Sequence, residues 1–388
     1  MPVATRVPKA KPDIRAITRL VPPDGNLVQG QSDLQIDPAL AKAAADVIAR
    51  NQNHYCPAEG ILSLREAIAE KVTGFNHVQV SAEAQPLEVL VTHGGTGALV
   101  AIAKTYLAGH ATLLFEPYYP YHRIITEQLG GKAELFPLSA PSLSIDFDAL
   151  RETCRRLKSR SEFPLRAIVV CSPANPTGKI FTRQELEAVA GICHEFDLLC
   201  ISDEVYEHYV VGAEPHISMA SLPGMWERTI TVNSFSKSWN VSGWRLGYVY
   251  GTGKLVAPLN QVSNVLYVNS ATPLQHALAS VLPASNGRYP YLQKLFTEKR
   301  ERVSGVLTEL GFDVFESGSA FYLWARIPEP HRDAIPFNQM LMETAGVAGV
   351  PGAAFADSDN WDNWMRFCIA REEHILDSSL EKLRKAIG

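Results

Sequence analysis

Between residues 87 and 250 the chain alternates short apolar runs with amphipathic stretches, and that alternation leaves few folds open. The runs Leu87–Thr92, Ala111–Phe115, Lys132–Phe136, Ala167–Cys171, Leu198–Ser202, Thr229–Val232 and Leu246–Tyr250 have the length and composition of strands. Helical patterns lie between several of them. One follows Gly94-Gly95-Thr96-Gly97 and stops at Gly109. The clearest opens on Thr182 with Glu185 three residues later, a capping box, and runs to about Phe196. Strands that are apolar throughout need cover on both faces. The pattern therefore predicts an α/β fold, a mostly parallel seven-stranded sheet with helices on either side. Sheets of this kind place ligands at the carboxyl ends of their strands.

The flanks differ. Residues 20–40 carry prolines and glycines and read as extended chain. A helical pattern begins near Pro38, a turn spans Tyr55–Gly60, and Ser63 with Glu66 signals a second capping box opening a helix through Val72. Beyond Pro283 come a long charged helix from about Tyr291 to Leu310, strand-like pieces at Phe312–Phe315 and Ala320–Ala325, and a helix from about Leu376 to Ile387. These predict a smaller α+β domain. The expected division is a mobile N-terminal arm over 1–24, an N-terminal part of the small domain over 25–45, a large domain over 46–285 and a small C-terminal domain over 286–388. A chain of 388 residues exceeds what one hydrophobic core usually supports, in keeping with two domains.

The net charge of −5 gives no overall footprint for nucleic acid, and no apolar run is long enough to span a membrane. Residues 1–20 are basic (Arg6, Lys9, Lys11, Arg15, Arg19) but lack the apolar centre of a secretory signal. Arg15 and Arg19 read as solvated surface charges; the other reading sets them at a site entrance, against a second carboxylate. The six cysteines show no metal-ligand spacing, so no metal is expected. Cys171 and Cys200 lie in apolar runs and read as small core residues. A reducing, cytoplasmic compartment fits.

Five segments following candidate strands carry chemistry. Gly94-Gly95-Thr96-Gly97 offers free amides and a helix start to an anion. Glu116-Pro117-Tyr118-Tyr119-Pro120-Tyr121 supplies rings to stack on a flat heterocycle. Ser172-Pro173-Ala174-Asn175-Pro176-Thr177-Gly178 presents an amide donor held between prolines. Ser202-Asp203-Glu204-Val205-Tyr206 puts a carboxylate at a strand end with a tyrosine three residues on. Ser234-Phe235-Ser236-Lys237 sets an amine among hydroxyls, with Arg245 eight residues later. Each has an ordinary reading alone: a tight turn, loop-packing aromatics, a proline-rich turn, a helix N-cap, a solvated loop. Together they complement one molecule with a phosphate, a ring face, a ring oxygen, a ring nitrogen and an aldehyde.

In combination these motifs resemble the fold-type I pyridoxal-phosphate enzymes, specifically the class I/II aminotransferases, over about residues 25–388. The carrying residues are Asn-Pro-Thr-Gly at 175–178, Asp203 with Tyr206, and Ser-x-Ser-Lys at 234–237 followed by Arg245. The resemblance implies that Lys237 forms a Schiff base with pyridoxal 5′-phosphate and that Asp203 partners the ring nitrogen. It implies that Tyr206 and Asn175 donate to the ring oxygen, and that Ser234, Ser236, Arg245, Gly95 and Thr96 hold the phosphate. Tyr119 would stack on the ring. Tyr55 would reach the phosphate of a neighbouring subunit, which implies a homodimer with shared sites. Arg366 would clamp the substrate α-carboxylate, near the backbone of Gly30 and beside Asn175. The implied activity is ping-pong transfer of an amino group from an L-α-amino acid to a 2-oxo acid. A β-lyase or a γ-eliminating, ring-closing enzyme on the same site is the alternative. The segment 366–373 is most similar to the kynurenine, glutamine and methionine transaminase group.

Overall fold

A computed structural model describes residues 11–211, 215–319 and 321–388. Seven strands build the large sheet: β1 (Val89–Thr92), β2 (Ala111–Glu116), β3 (Lys132–Pro137), β4 (Leu165–Cys171), β5 (Leu199–Asp203), β6 (Thr229–Ser234) and β7 (Gly247–Tyr250). Their spatial order is β1-β7-β6-β5-β4-β2-β3. The pairs β2–β3, β2–β4, β4–β5 and β5–β6 are parallel. Only β7 runs against its neighbours β1 and β6.

Both faces of the sheet are covered, as strands without polar alternation require. On β2, Leu113 and Phe115 enter one core while Leu114 enters the other. On β4, Ile168 and Val170 point one way, Ala167 and Val169 the other. The helix Phe147–Lys158 shows how cover is made: Asp146 caps it through the Ala149 amide, and Leu150, Cys154 and Leu157 form its buried stripe. The helix Arg183–Glu195 carries the expected box, with Thr182 and Glu185 bonding each other's backbone.

The second capping box does not form. The helix Leu62–Lys71 starts one residue before Ser63. Ile61 becomes its N-cap because the Ile61 side chain is buried in the core and its amide donates to Gln275 Oε1 at 3.0 Å. A long-range contact outweighs a local one.

A second sheet follows: β8 (Asp313–Val314), β9 (Tyr322–Arg326), β10 (Val350–Pro351) and β11 (Trp364–Cys368), ordered β10-β11-β9-β8. The start of the expected strand at Ala320 lies outside the described residues. The helices Arg288–Glu309 and Glu373–Ile387 pack on this sheet through Phe296, Leu307, Leu380 and Leu383. The N-terminal chain runs along it, with the Cys368 amide donating to Leu27 O at 2.8 Å.

Where an arm was expected, Ile14–Leu20 form a helix capped by Asp13. Ile14 and Ile17 rest against the core, and Lys11 reaches Asp357 at 2.5 Å. Arg6 and Lys9 lie outside the described residues.

Candidate active site

Because β1 to β6 point the same way, their carboxyl ends share one edge. The antiparallel β7 begins at that edge, with Ser234 opposite Gly247, so the residue two before its start, Arg245, arrives there too. A cavity of about 560 Å³ opens at this edge. It is lined by every residue expected in the site except Tyr55: Gly30, Gly95, Thr96, Tyr119, Asn175, Asp203, Tyr206, Ser234, Ser236, Lys237, Arg245 and Arg366. Tyr55 instead stands 86% exposed on the chain's surface.

Ser234 ends β6 and caps the short helix Phe235–Ser238; its hydroxyl accepts from the Ser236 amide at 3.2 Å. That turn presents Lys237 to the cavity. Its Nζ donates to Gly30 O at 2.7 Å and has no carboxylate partner among the described residues. Burial, with the positive charges of Arg366 and Arg245 adding to it, pushes the amine down to about 8. An amine in that range is available as a nucleophile and a base near neutrality.

Asp203 ends β5. Its Oδ2 lies 2.8 Å from His122 Nε2, and both side chains are buried. Three residues on, the Tyr206 hydroxyl lies 2.8 Å from that of Tyr322. Burial, then the neighbouring Tyr322, raises the Tyr206 phenol well above its ordinary value, so it remains a hydrogen-bond donor. Arg366, on β11, is buried and donates from Nη1 to Asn175 Oδ1 at 2.8 Å and from Nη2 to Val28 O at 2.6 Å. Tyr322 and Phe355 flank its guanidinium at 4.5 and 4.9 Å from their ring centres. Its Nε has no partner among the described residues.

The anion end is built from close backbone approaches. Gly94 has φ +66, and a Cβ there would sit 2.8 Å from Arg245 Nη2. A Cβ on Gly247 would meet the Gly94 backbone at 2.8 Å. The two glycines let Arg245 lie against the turn that carries the Gly95 and Thr96 amides. Arg245 itself has φ +55, a left-handed conformation that side-chain-bearing residues seldom adopt.

Cys171 differs from its reading as a core residue. It is half-buried and lines the cavity, because β4 ends there. Cys200 is fully buried as expected. Sequence spacing did not reveal His122, Tyr322 or Phe355. His122 lies one residue past the tyrosine cluster, and a histidine on a helix start carries no signal of its own.

The family model for aminotransferases of class I and II matches residues 24–383. The chain belongs to this family. Similar proteins include a probable N-succinyldiaminopimelate aminotransferase of Mycobacterium tuberculosis, 34% identical over 372 residues, 92% of this chain and 91% of that one. A solved structure of N-succinyldiaminopimelate aminotransferase from the same species has a TM-score of 0.87 over 95% of each chain, at 34% identity. YbdL of Escherichia coli, described as having a methionine aminotransferase function, reaches 0.88 at 27% identity, over 96% of this chain and 95% of that one. Kynurenine–oxoglutarate transaminase 3 of Rattus norvegicus is 30% identical, covering 92% of this chain and 84% of that protein. The aminotransferase has the fold-type I architecture, and its cofactor is pyridoxal 5′-phosphate. The donor set fits that group: a near-neutral amine, a buried carboxylate, hydroxyls, and a guanidinium against free amides. No helix among the described residues of the aminotransferase is long and apolar enough to cross a membrane.

Proposed function

We propose that this aminotransferase moves the amino group of an L-α-amino acid to a 2-oxo acid in two half-reactions of ping-pong form. The observation that carries the reading is Lys237, an amine buried at the strand edge that among the described residues bonds a backbone carbonyl rather than a carboxylate. When bound, the cofactor supplies an electron sink for the bond broken at the substrate Cα.

The chain's residues do the rest in this reading. Lys237 would hold the cofactor through its amine and, once freed, would carry the proton at the substrate Cα. Asp203, oriented by His122, keeps the ring nitrogen protonated. Asn175 and Tyr206 donate to the ring oxygen, and Tyr119 stacks on the ring. Ser234, Ser236, Arg245, Gly95 and Thr96 take the phosphate. Arg366 holds the α-carboxylate beside Asn175 and the Gly30 backbone. Its two bonded nitrogens keep the fork fixed, and the flanking rings lower the local dielectric, which strengthens the charge pair there.

The active unit in this reading is a homodimer in the cytoplasm, with Tyr55 reaching the partner's phosphate. Its support is the exposure of Tyr55 together with Val265, Leu266 and Val268. The Cys56 thiol, next to Tyr55, lies 4.0 Å from Ser270 O, so these segments adjoin. Such an apolar surface suits a subunit interface.

The test is the absorbance of the cofactor-loaded protein with single L-amino acids. Bleaching of the yellow band, and its return with a 2-oxo acid, is the expected result. A persistent band with release of ammonia would assign the site to elimination instead.

A further inference from the structure

Three consecutive backbone carbonyls accept from three different cations. Arg366 Nη2 donates to Val28 O at 2.6 Å, Arg371 Nη2 to Gln29 O at 3.3 Å and Lys237 Nζ to Gly30 O at 2.7 Å. The transaminase reading accounts for two of these cations. Arg366 takes the substrate α-carboxylate, and Lys237 leaves Gly30 when it takes the cofactor. Arg371 does not line the cavity and has no part in that reading. Yet it is only 7% exposed, a charge buried against the segment 28–30.

The segment needs such a fastening. Its flanks are pinned by the main chain, Leu27 N donating to Ala348 O at 3.1 Å and Asp33 N to Ala370 O at 3.2 Å. Among the described residues, no main-chain hydrogen bond joins residues 28–32 to any other segment. Side chains hold the middle instead. Asn26 Oδ1 accepts from the Val28 and Gln29 amides at 3.1 and 3.3 Å, and Arg371 Nη2 reaches the same oxygen at 3.4 Å. Arg371 Nη1 lies 3.5 Å from Asp33 Oδ2. One guanidinium thus spans the strap from Asn26 through Gln29 to Asp33, which a flat fork of several donors can do. Its own backbone is anchored in turn: buried Lys299, on the helix Arg288–Glu309, donates to Arg371 O at 2.6 Å.

We propose that Arg371 is a positioning residue for the substrate α-carboxylate. It holds the strap in place, so that Val28 O keeps the Arg366 fork aimed and Gly30 keeps its backbone at the site after Lys237 has left it. The inference rests on the transaminase reading and adds to it a residue that acts only through the strap. Of the three cations, Arg371 alone keeps its bond to the strap whatever the cavity holds.

The experiment uses the cofactor-loaded protein, parent against Arg371→Gln and Arg371→Lys. Bleaching of the yellow band in a single turnover is followed against the concentration of L-methionine, L-phenylalanine and L-glutamate. This separates the apparent Kd of the donor from the limiting rate. Hydrogen exchange over residues 26–34 is measured on the same samples. In Arg371→Gln the apparent Kd is expected to rise by about tenfold, with a limiting rate within about threefold of the parent and an unchanged cofactor affinity. Exchange over 26–34 should quicken, and Arg371→Lys should recover part of both effects. Unchanged exchange would overturn the proposal. So would a loss spread equally over donor Kd, limiting rate and cofactor affinity, since that is the mark of a residue that only supports the fold. If none of the three donors bleaches the band of the parent, the transaminase reading fails, and exchange over 26–34 decides whether Arg371 holds the strap.

Discussion

His122 Nε2 lies 2.8 Å from Asp203 Oδ2, with both side chains out of water. The contact joins the helix after β2 to the end of β5, two strands away across β4. It fixes which way the Asp203 carboxylate faces. Replacing the imidazole with an apolar group frees that orientation and removes a hydrogen bond to a charged group. His122→Leu is therefore expected to keep the cofactor but to slow Cα proton transfer by about tenfold to a hundredfold. Stopped-flow decay of the yellow band reads this step, and an unchanged rate would remove His122 from a positioning role.

The depressed value of Lys237 makes a pH prediction for the cofactor-free protein. The amine ionises at about 8 in the folded chain, against roughly 10.4 for a free lysine. Capture of pyridoxal 5′-phosphate needs the neutral amine, so its rate should rise with pH through about 8 and level off above. In the window between the two values the unfolded chain binds the extra proton, so stability of the cofactor-free protein should also rise with pH there. A rate still climbing steeply past pH 9.5, roughly a unit and a half above the expected midpoint, would contradict the burial argument.

Arg366 is held by Asn175 and Val28 at both terminal nitrogens. Lysine keeps the charge but cannot present the same planar fork. Arg366→Lys should raise KM for the amino donor by about tenfold to a hundredfold and leave the cofactor spectrum in place. Loss of cofactor instead would mean that the arginine supports the fold more than the substrate.

Behind the site, Lys71 pairs with Glu207, and both are buried. Glu207 also accepts from Asn76 and Asn233 at 2.6 Å each. Removing the cation leaves a carboxylate without its charge partner in the interior. Lys71→Met should lower unfolding stability by about 3–5 kcal/mol. Denaturant melts of the cofactor-free protein measure it, and a loss below about 1 kcal/mol would show that the two amides suffice.

The shared-site reading gives a complementation test. A Tyr55→Phe chain mixed with a Lys237→Ala chain forms a hybrid in which one site has both native residues. Cofactor affinity lost in Tyr55→Phe alone, by about tenfold, should return in that hybrid site. No return would place Tyr55 within its own subunit's chemistry or outside it altogether.

What the sequence determined is local. Apolar runs too hydrophobic for a one-sided sheet set the α/β architecture, and the groups directly after each run identified themselves. Asn175, Asp203, Lys237 and Arg245 each lie within a few residues of a strand boundary, so the parallel sheet carried them to one edge without further information. Thr182 and Glu185 formed their cap because both partners belong to one turn.

Tertiary structure decided what distance along the chain conceals. Ser63 and Glu66 show the same local signal as Thr182 and Glu185, yet Gln275 bonded the Ile61 amide, the core took its side chain, and the helix began two residues early. His122 meets Asp203 across 81 positions, and Tyr322 meets Tyr206 across 116. No periodicity encodes such pairs. Arg15 and Arg19 are the sharpest case. Both stay exposed, as surface charges do, and only the docking of their helix beside the cavity sets them on its wall.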